Sequence, residues 1–193
     1  MSEDKLYKFL TEMEKLKSTL RHCWTRDGRH ESSAEHSWRI AVFFMLAYDM
    51  FDLQVDFKKL MKMILIHDAP ELQYGDIPGF VKTTDPAKHK AHKDREVIAA
   101  RELFDMLPED TAKEYMALFE EFEEGKTPEA KVGKALDRIE TMLQHLEGGP
   151  KTWSEDEKGE HMLHYPDHAV NALNNPHINK IWDIIYQEIK KLQ

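Results

Sequence analysis

The chain has 193 residues, a single cysteine, a formal net charge of −9 and a hydrophobic fraction of 41%. This length is most simply one domain with a sizeable core, and one cysteine allows no intrachain disulfide that would indicate an oxidising compartment. The negative charge argues against a general nucleic-acid binder, and the longest apolar run, Ile40 to Tyr48, is too short to span a membrane. We therefore expect a cytoplasmic protein that binds neither nucleic acid nor membranes.

Apolar residues recur at helical spacing in the first third of the chain. We predict a first helix over about 3–21 and a second, capped by Ser33, that runs to about residue 51. Asp56 is the predicted cap of a third helix. Pro70 disfavours helical geometry in the preceding residue, so this helix ends at or just after residue 68, and a short helix follows as far as Gly75.

The rest of the chain also reads as helices, separated by proline and glycine. Residues 76–85 read as an ordered loop, and the predicted helices then cover about 86–106, 108–124, 128–147, 168–173 and 178–192. No stretch reads convincingly as a strand. The predicted fold class is therefore all-α, a single domain over 1–193 with its core at about 5–147 and C-terminal helices at about 166–192.

The octet ILIHDAPE, residues 64–71, starts as an apolar run and ends in His67, Asp68 and Glu71. Burying such groups is costly unless they are paired or bind a metal, although a helix end beside solvent would also accommodate them. The predicted break at Pro70 aims these side chains into a concavity between helix ends. His36 and Asp137 could complete a metal site there, but taken singly each is also compatible with a structural role.

Taken together, His36, the pair His67–Asp68, and Asp137 give the order H…HD…D on helices. This order resembles the HD-domain metal-dependent phosphohydrolases. The segments ESSAEHS, residues 31–37, and HDAPE…GDIP, residues 67–78, resemble the 5′-deoxynucleotidase branch of that family. The resemblance covers about residues 5–190 and implies a helical bundle with a metal site between helix ends, and a homodimer.

Under this resemblance His36, His67, Asp68 and Asp137 bind one divalent ion. Two imidazoles and two carboxylates suit Mn²⁺, Co²⁺, Fe²⁺, Mg²⁺ or Zn²⁺ and leave positions for water and a phosphate oxygen. Glu71 is placed to orient or deprotonate the attacking water. By family analogy, the second expected catalytic residue, Asp76, helps to protonate the leaving alkoxide or holds the sugar.

The predicted substrate is a (deoxy)nucleoside monophosphate that loses its 5′-phosphate. The family branch carries a basic–aromatic pair before the histidine segment, and this chain has no Arg-Trp dipeptide there. Trp24 is the predicted base-stacking residue, with Arg21 or Arg26 on the phosphate. The loop residues Asp76, Ile77, Pro78 and Gly79 are expected to approach the sugar closely.

Two other interpretations remain open from the sequence. The same fold could carry a phosphodiesterase or a guanosine-polyphosphate hydrolase, and a non-enzymatic helical interaction protein could hold a structural metal. His89 and His92 have the spacing of extra ligands in dinuclear relatives, but their lysine-rich surroundings disfavour a second dication. The set His161, His164 and His168 reads as surface histidines because Pro166 interrupts any single helix there.

Overall fold

The structure, a computed structural model, describes residues 2–77, 85–155, 157–158 and 160–192, with the backbone alone for residues 86, 160 and 161. In chain order its helices and strands are α1 Ser2–Met13, β1 Leu20–Trp24, β2 His30–Ser32, α2 Ser33–Phe51, α3 Phe57–Ile66, α4 Glu71–Tyr74, α5 Pro86–Phe104, α6 Glu109–Glu124, α7 Pro128–Gly148, α8 Glu160–Leu163, α9 Asp167–Leu173 and α10 Pro176–Lys190. Short 3₁₀ turns lie at Glu14–Lys17 and Pro150–Thr152. The all-α class is confirmed.

The predicted first helix over 3–21 is wrong at its C-terminal end. Helix α1 stops at Met13, and after one 3₁₀ turn the chain enters a two-stranded antiparallel sheet in which Leu20 faces Ser32 and Trp24 faces His30. Along β1 every second residue is buried, and the buried residues are Arg21 and Cys23. The sequence concealed this strand because one inward position carries a charge and therefore breaks the expected apolar alternation.

The start of α2 also differs by one residue from the prediction. Ser32, not Ser33, is the N-cap, and it forms a capping box with Glu35. The hydroxyl of Ser33 does not cap the helix. It points into the interior, where it donates a hydrogen bond to Glu71. Asp56 caps α3 as predicted, by accepting a hydrogen bond from the Lys59 amide at 2.9 Å.

Helix α7 lies at the centre of the fold and packs against α2, α3, α6, α9, α10 and β1. Its inward face presents Ala135, Leu136 and Ile139, which are fully buried. Helices α2 and α3 add Phe44 and Leu60 to the same core. Because α2, α3 and α7 all contribute to one core, polar side chains at the ends of their packed faces are brought into one space. None of the described helices has the length and hydropathy needed to cross a membrane.

Candidate metal centre

Two histidines and two aspartates meet where α2, α3 and α7 converge. His36 lies near the start of α2, His67 and Asp68 directly follow α3, and Asp137 lies midway along α7. The His36 Nε2 atom is 3.1 Å from Asp137 Oδ1 and 3.6 Å from Asp68 Oδ2. The His67 Nε2 atom is 3.1 Å from Asp68 Oδ1 and 4.0 Å from Asp137 Oδ1. The structure thus brings together all four side chains for which a metal role was predicted.

The other nitrogen of each imidazole has a partner that fixes the ring. His67 Nδ1 donates to the Ile64 carbonyl at 2.8 Å, so the Nε2 atom of the neutral ring carries the lone pair. His36 Nδ1 contacts the buried carboxylate of Glu140, which also accepts a hydrogen bond from Arg39 Nε at 2.6 Å. Metal-binding histidines are usually anchored in this way by a carbonyl or carboxylate. Both Nε2 atoms therefore face the aspartates.

The electrostatic field around His36 is negative. Burial and Arg21 lower the pKa of His36, but the carboxylates of Glu140 and Asp137 outweigh them and raise it to about 10. Burial raises the pKa of Asp137, yet the neighbouring His36 and His67 hold it well below the usual range. A site that favours an extra proton so strongly also favours a metal cation, which would take the place of that proton.

Arg21 provides the main positive charge beside these carboxylates. Its Nη1 atom donates to Asp68 Oδ2 at 3.1 Å, and its side chain is only 6% exposed. Although burial lowers the pKa of this guanidinium, Asp76 and Asp68 raise it well above its usual value. Arg21 therefore stays charged and fixes Asp68 in one orientation.

Glu71 is the first residue of the short helix α4, and Asp76 follows the end of that helix. Glu71 Oε2 accepts a hydrogen bond from Ser33 Oγ at 2.6 Å. Burial, and then Asp68 and Asp76, raise the pKa of Glu71 well above its usual value. Asp76 follows Gly75, whose φ of 76° lies in the left-handed region that favours glycine. Burial raises the pKa of Asp76, but Arg21 and His22 together hold it below its usual range.

These groups open onto a cavity of about 480 Å³, within the range typical of small-molecule sites. Three of the four clustered side chains, together with Glu71 and Asp76, form part of its wall. Basic and imidazole side chains also line it, namely His89, His92, Lys93, Lys131, Lys134, Arg138 and His168. Lys93 and Lys134 pair with Glu123 in the same wall, so the cavity carries charges of both signs beside the acidic cluster.

The predicted substrate-binding residues divide into three groups. Arg21 and Ile77 line the cavity. Pro78 and Gly79 lie outside the described residues. The structure does not bring Trp24 or Arg26 to the cavity, because both lie towards the hairpin turn. There the Trp24 ring packs on His30, with 4.1 Å between the ring centroids, and Arg26 pairs with Glu147. In place of Trp24, the residue of β1 that reaches the cavity with Arg21 is His22.

The other predicted histidines have separate environments. His92 Nε2 donates a hydrogen bond to the Gly75 carbonyl at 3.2 Å, and His92 Nδ1 is 3.4 Å from Glu96. His92 therefore stabilises the turn that precedes Asp76. His164 is exposed and bonds Asp167 at 2.8 Å, which agrees with its predicted surface role. His168 is also exposed, but it borders the cavity. The side chain of His161 is outside the described part of the structure.

The cluster fits a divalent metal ion on the evidence of its own geometry. The ligand atoms of His36, His67 and Asp68 lie within 4.8 Å of one another. His67 Nε2 is buried and has no hydrogen-bond partner among the described residues. A buried lone pair without a partner is unfavourable, and coordination to a metal would satisfy it. Two nitrogen and two oxygen donors form a set that suits several divalent ions.

Sequence reasoning missed Glu140 and the role of Ser33. Glu140 follows Asp137 by three residues and therefore lies on the same face of α7, so helical spacing could have indicated it. Ser33 follows a serine that caps the helix equally well, and only the structure shows which of the two turns inward.

Comparison with known proteins shows the same family along most of the chain. Residues 13–172 match the model of the HD domain family. The chain is 31% identical to human 5′-deoxynucleotidase HDDC2 over 179 residues, which cover 90% of this chain and 80% of the human protein. It is 30% identical to 5′-deoxynucleotidase hdd1 of Schizosaccharomyces pombe over 141 residues, which cover 72% and 70% of the two chains.

A solved structure resembles the whole fold. The crystal structure of a predicted metal-dependent phosphohydrolase from Magnetospirillum magnetotacticum superposes with a TM-score of 0.81 at 29% identity, and the match covers 99% of this chain and 92% of the other. The likeness therefore extends over the α2–α3–α7 core that carries the cluster.

Proposed function

The chain belongs to the HD domain family, and we propose that it is a metal-dependent phosphohydrolase that removes the 5′-phosphate from deoxynucleoside monophosphates. The observation that carries this proposal is the convergence of His36, His67, Asp68 and Asp137 beside a cavity of about 480 Å³. The relatives named 5′-deoxynucleotidase support the choice of substrate class.

The four side chains would hold one divalent ion through the Nε2 atoms of the histidines and the carboxylates of the aspartates. When bound, the ion would polarise a phosphate oxygen and lower the pKa of a water molecule. Mn²⁺, Co²⁺, Fe²⁺, Mg²⁺ and Zn²⁺ are all compatible with these donors. Arg21 keeps Asp68 oriented through its 3.1 Å hydrogen bond, and Glu140 does the same for His36.

Glu71 is the proposed proton acceptor for the attacking water. It lies next to Asp68 in space, and burial together with Asp68 and Asp76 raises its pKa, which increases the affinity of the carboxylate for a proton. The hydrogen bond from Ser33 fixes one of its oxygens. Glu71 can therefore receive a proton from water and hold it within the cavity.

Asp76 has a different protonation preference. Its lowered pKa keeps the carboxylate ionised, which makes it a hydrogen-bond acceptor and a poor proton donor. Of the two roles that the family resemblance implies, this favours contact with a sugar hydroxyl over protonation of the leaving alkoxide. His22 and Arg21 hold it in place at 3.3 and 3.9 Å.

We further propose that the protein acts as a homodimer, as the resemblance implies, and that it does so in the cytoplasm, as the single cysteine indicates. Helix α2 leaves Trp38, Met45, Leu46 and Met50 exposed along adjacent positions of one side, with Trp38 64% exposed. A second copy could cover this side. Sedimentation equilibrium of the wild-type chain and Trp38→Glu tests the dimer, and a wild-type monomer at micromolar concentration would contradict it.

Phosphate release tests the proposed reaction. The wild-type protein should release phosphate from deoxynucleoside monophosphates in the presence of at least one of the five metals. Release of a nucleotide from a cyclic dinucleotide, or of pyrophosphate from a guanosine polyphosphate, with none from monophosphates, would favour the other two enzyme classes. Absence of hydrolysis on every substrate and with every metal would leave the non-enzymatic interpretation.

A further inference from the structure

A second group of metal-ligand side chains lies beside the cavity. It consists of His22 and Cys23 on β1, His145 in the last turn of α7, and Glu157 in the segment before α8. We call these four residues the thiol–imidazole cluster. Cys23 is 0%, His145 4% and Glu157 7% exposed, whereas His22 is partly buried and borders the cavity, so three of the four side chains are shielded from solvent.

Each imidazole of the thiol–imidazole cluster lies close to both the sulfur and the carboxylate. Cys23 Sγ is 3.6 Å from His22 Nε2 and 3.5 Å from His145 Nε2. Glu157 Oε1 is 3.5 Å from the same His22 nitrogen and 3.6 Å from the same His145 nitrogen. Each imidazole thus directs one nitrogen towards both the sulfur and the carboxylate oxygen.

Four of the six separations between these donors match the edges of a tetrahedral zinc site. Zinc binds sulfur at about 2.3 Å and nitrogen or oxygen at about 2.0–2.2 Å, so its sulfur and nitrogen ligands lie about 3.6 Å apart and its nitrogen and oxygen ligands about 3.4 Å apart. The four observed distances are all 3.5 or 3.6 Å. The donor atoms of His22, Cys23 and His145 also lie within 4.8 Å of one another.

Glu157 gives a second, independent indication. Its Oε2 atom accepts a hydrogen bond from the Ser154 amide at 2.7 Å, but its Oε1 atom is buried and has no hydrogen-bond partner among the described residues. That orphaned oxygen is the one aimed at the imidazoles. Leaving a buried carboxylate oxygen without a partner is costly, and a metal ion would remove this cost.

We propose that His22, Cys23, His145 and Glu157 bind a second divalent ion, with zinc as the ion that suits this sulfur–nitrogen–oxygen set best. Four protein ligands close the coordination sphere, which is typical of a structural site. The site joins the hairpin strand β1, the end of α7 and the segment around Glu157. Burial raises the pKa of the Cys23 thiol well above its usual value, so ion binding would release a proton from it.

The second site would also reach the cavity indirectly. His22 Nδ1 lies 3.3 Å from Asp76 Oδ2, an arrangement in which a carboxylate supports the far side of a metal-binding imidazole. A metal bound by His22 would thus help to position Asp76. The role proposed above for Asp76, contact with a sugar hydroxyl, would be unchanged. The proposal itself depends on the ligand geometry alone and does not rest on the proposed function.

Cobalt absorption tests the site, because Cys23 is the only cysteine in the chain. Full-length wild-type protein saturated with Co²⁺ should show a thiolate-to-cobalt charge-transfer band in the near ultraviolet, with the intensity of one thiolate-bound cobalt per chain. Asp68→Ala should keep this band, because it disrupts only the other cluster. Cys23→Ser should lose it entirely, and His145→Gln should weaken or shift it. His164→Ala, which removes a surface imidazole, serves as the matched control and should leave the band intact.

Thermal unfolding of the Asp68→Ala variant with and without zinc tests the same site by a change in Tm, without cobalt. Zinc should raise the Tm of Asp68→Ala, and chelation should lower it again. The double variant Asp68→Ala/Cys23→Ser should show no such shift. A folded, cobalt-saturated wild-type protein without a thiolate band would overturn the second site, whether or not the protein hydrolyses nucleotides. If Cys23→Ser fails to fold, the wild-type spectrum still decides the question.

Discussion

The open cluster, formed by His36, His67, Asp68 and Asp137, borders a cavity of about 480 Å³. The thiol–imidazole cluster lies between β1, α7 and the segment at Glu157, and only its His22 borders that cavity. The first has two nitrogen and two oxygen donors and charged neighbours such as Arg21 and Glu140. The second adds a sulfur donor, and Cys23 is 0% exposed. Open sites leave a position for water or substrate, while closed sites with four protein ligands stabilise the fold. Two clusters that both contain histidines can therefore have different tasks.

Glu71 marks the chemical difference between the two regions. Beside the open cluster a carboxyl with a raised pKa is available for proton transfer. In the thiol–imidazole cluster, burial and the neighbouring His22 lower the pKa of His145 to about 4. This imidazole is therefore neutral and suited to bind a metal. Hydrolysis should therefore depend on the open cluster, and changes in one cluster should leave the metal bound by the other in place.

The largest expected effect comes from Asp68→Ala. This change removes one proposed ligand and deprives the buried Arg21 of one of its carboxylate partners. We expect loss of both the metal ion of the open cluster and phosphate release from dAMP. Metal analysis and a phosphate assay measure the two effects. The exposed Asp94→Ala is the control and should behave as the wild type, while full activity of Asp68→Ala would refute the ligand assignment.

Glu71→Gln should separate chemistry from metal binding. The amide cannot accept the proton of the attacking water, so the rate of dAMP hydrolysis should fall by about 10²–10⁴, the usual contribution of a general acid–base group. The metal content should remain that of the wild type. Near-normal turnover by a metal-loaded variant would show that Glu71 takes no part in proton transfer.

Glu140→Gln should weaken metal binding at the open cluster without abolishing the reaction. Glu140 supports His36 from behind, and removal of such a support typically lowers metal affinity about 10–100-fold. Titration of the apoprotein should show this loss, and saturating metal should largely restore the rate. Glu147→Gln, on the same helix but paired with the exposed Arg26, is the matched control. Equal metal affinities in the two variants would contradict the role of Glu140.

The smallest expected effect concerns the sugar and the base. The loop that follows Asp76 is expected to lie close to the sugar and to leave little room for a 2′-hydroxyl. Rates with dAMP should therefore exceed those with AMP, while dAMP, dGMP, dCMP and TMP should differ little. Equal kcat/KM values for AMP and dAMP would rule out this steric argument and would leave the proposed hydrolysis intact.

Much of the open cluster could be predicted from the sequence because its ligands lie in recognisable local patterns on helices. The HD pair ends an apolar helix, and Asp137 interrupts the inward face of another. By contrast, the thiol–imidazole cluster combines residues from distant parts of the chain, and its strand was not predicted. The buried Arg21 disrupted the alternation that would have indicated β1, so the approach of Cys23 to His145 could be found only from the tertiary structure.

The same limit explains the base-stacking prediction for Trp24. The sequence shows which aromatic residue lies near the arginines, but the direction of a side chain depends on strand register. In the sheet Trp24 pairs with His30, and its ring packs there. Arg21, three residues earlier, is buried and reaches Asp68. The opposite outcomes for Arg21 and Arg26 follow from the same hairpin, which was absent from the predicted fold.

Anomalous diffraction at the absorption edge of the metal that supports phosphate release tests the central claim most directly. In crystals of the active wild-type protein, we predict an anomalous peak within coordination distance of His36 Nε2, His67 Nε2 and the carboxylates of Asp68 and Asp137. A protein that releases phosphate from dAMP but shows no peak among these four side chains would contradict the account.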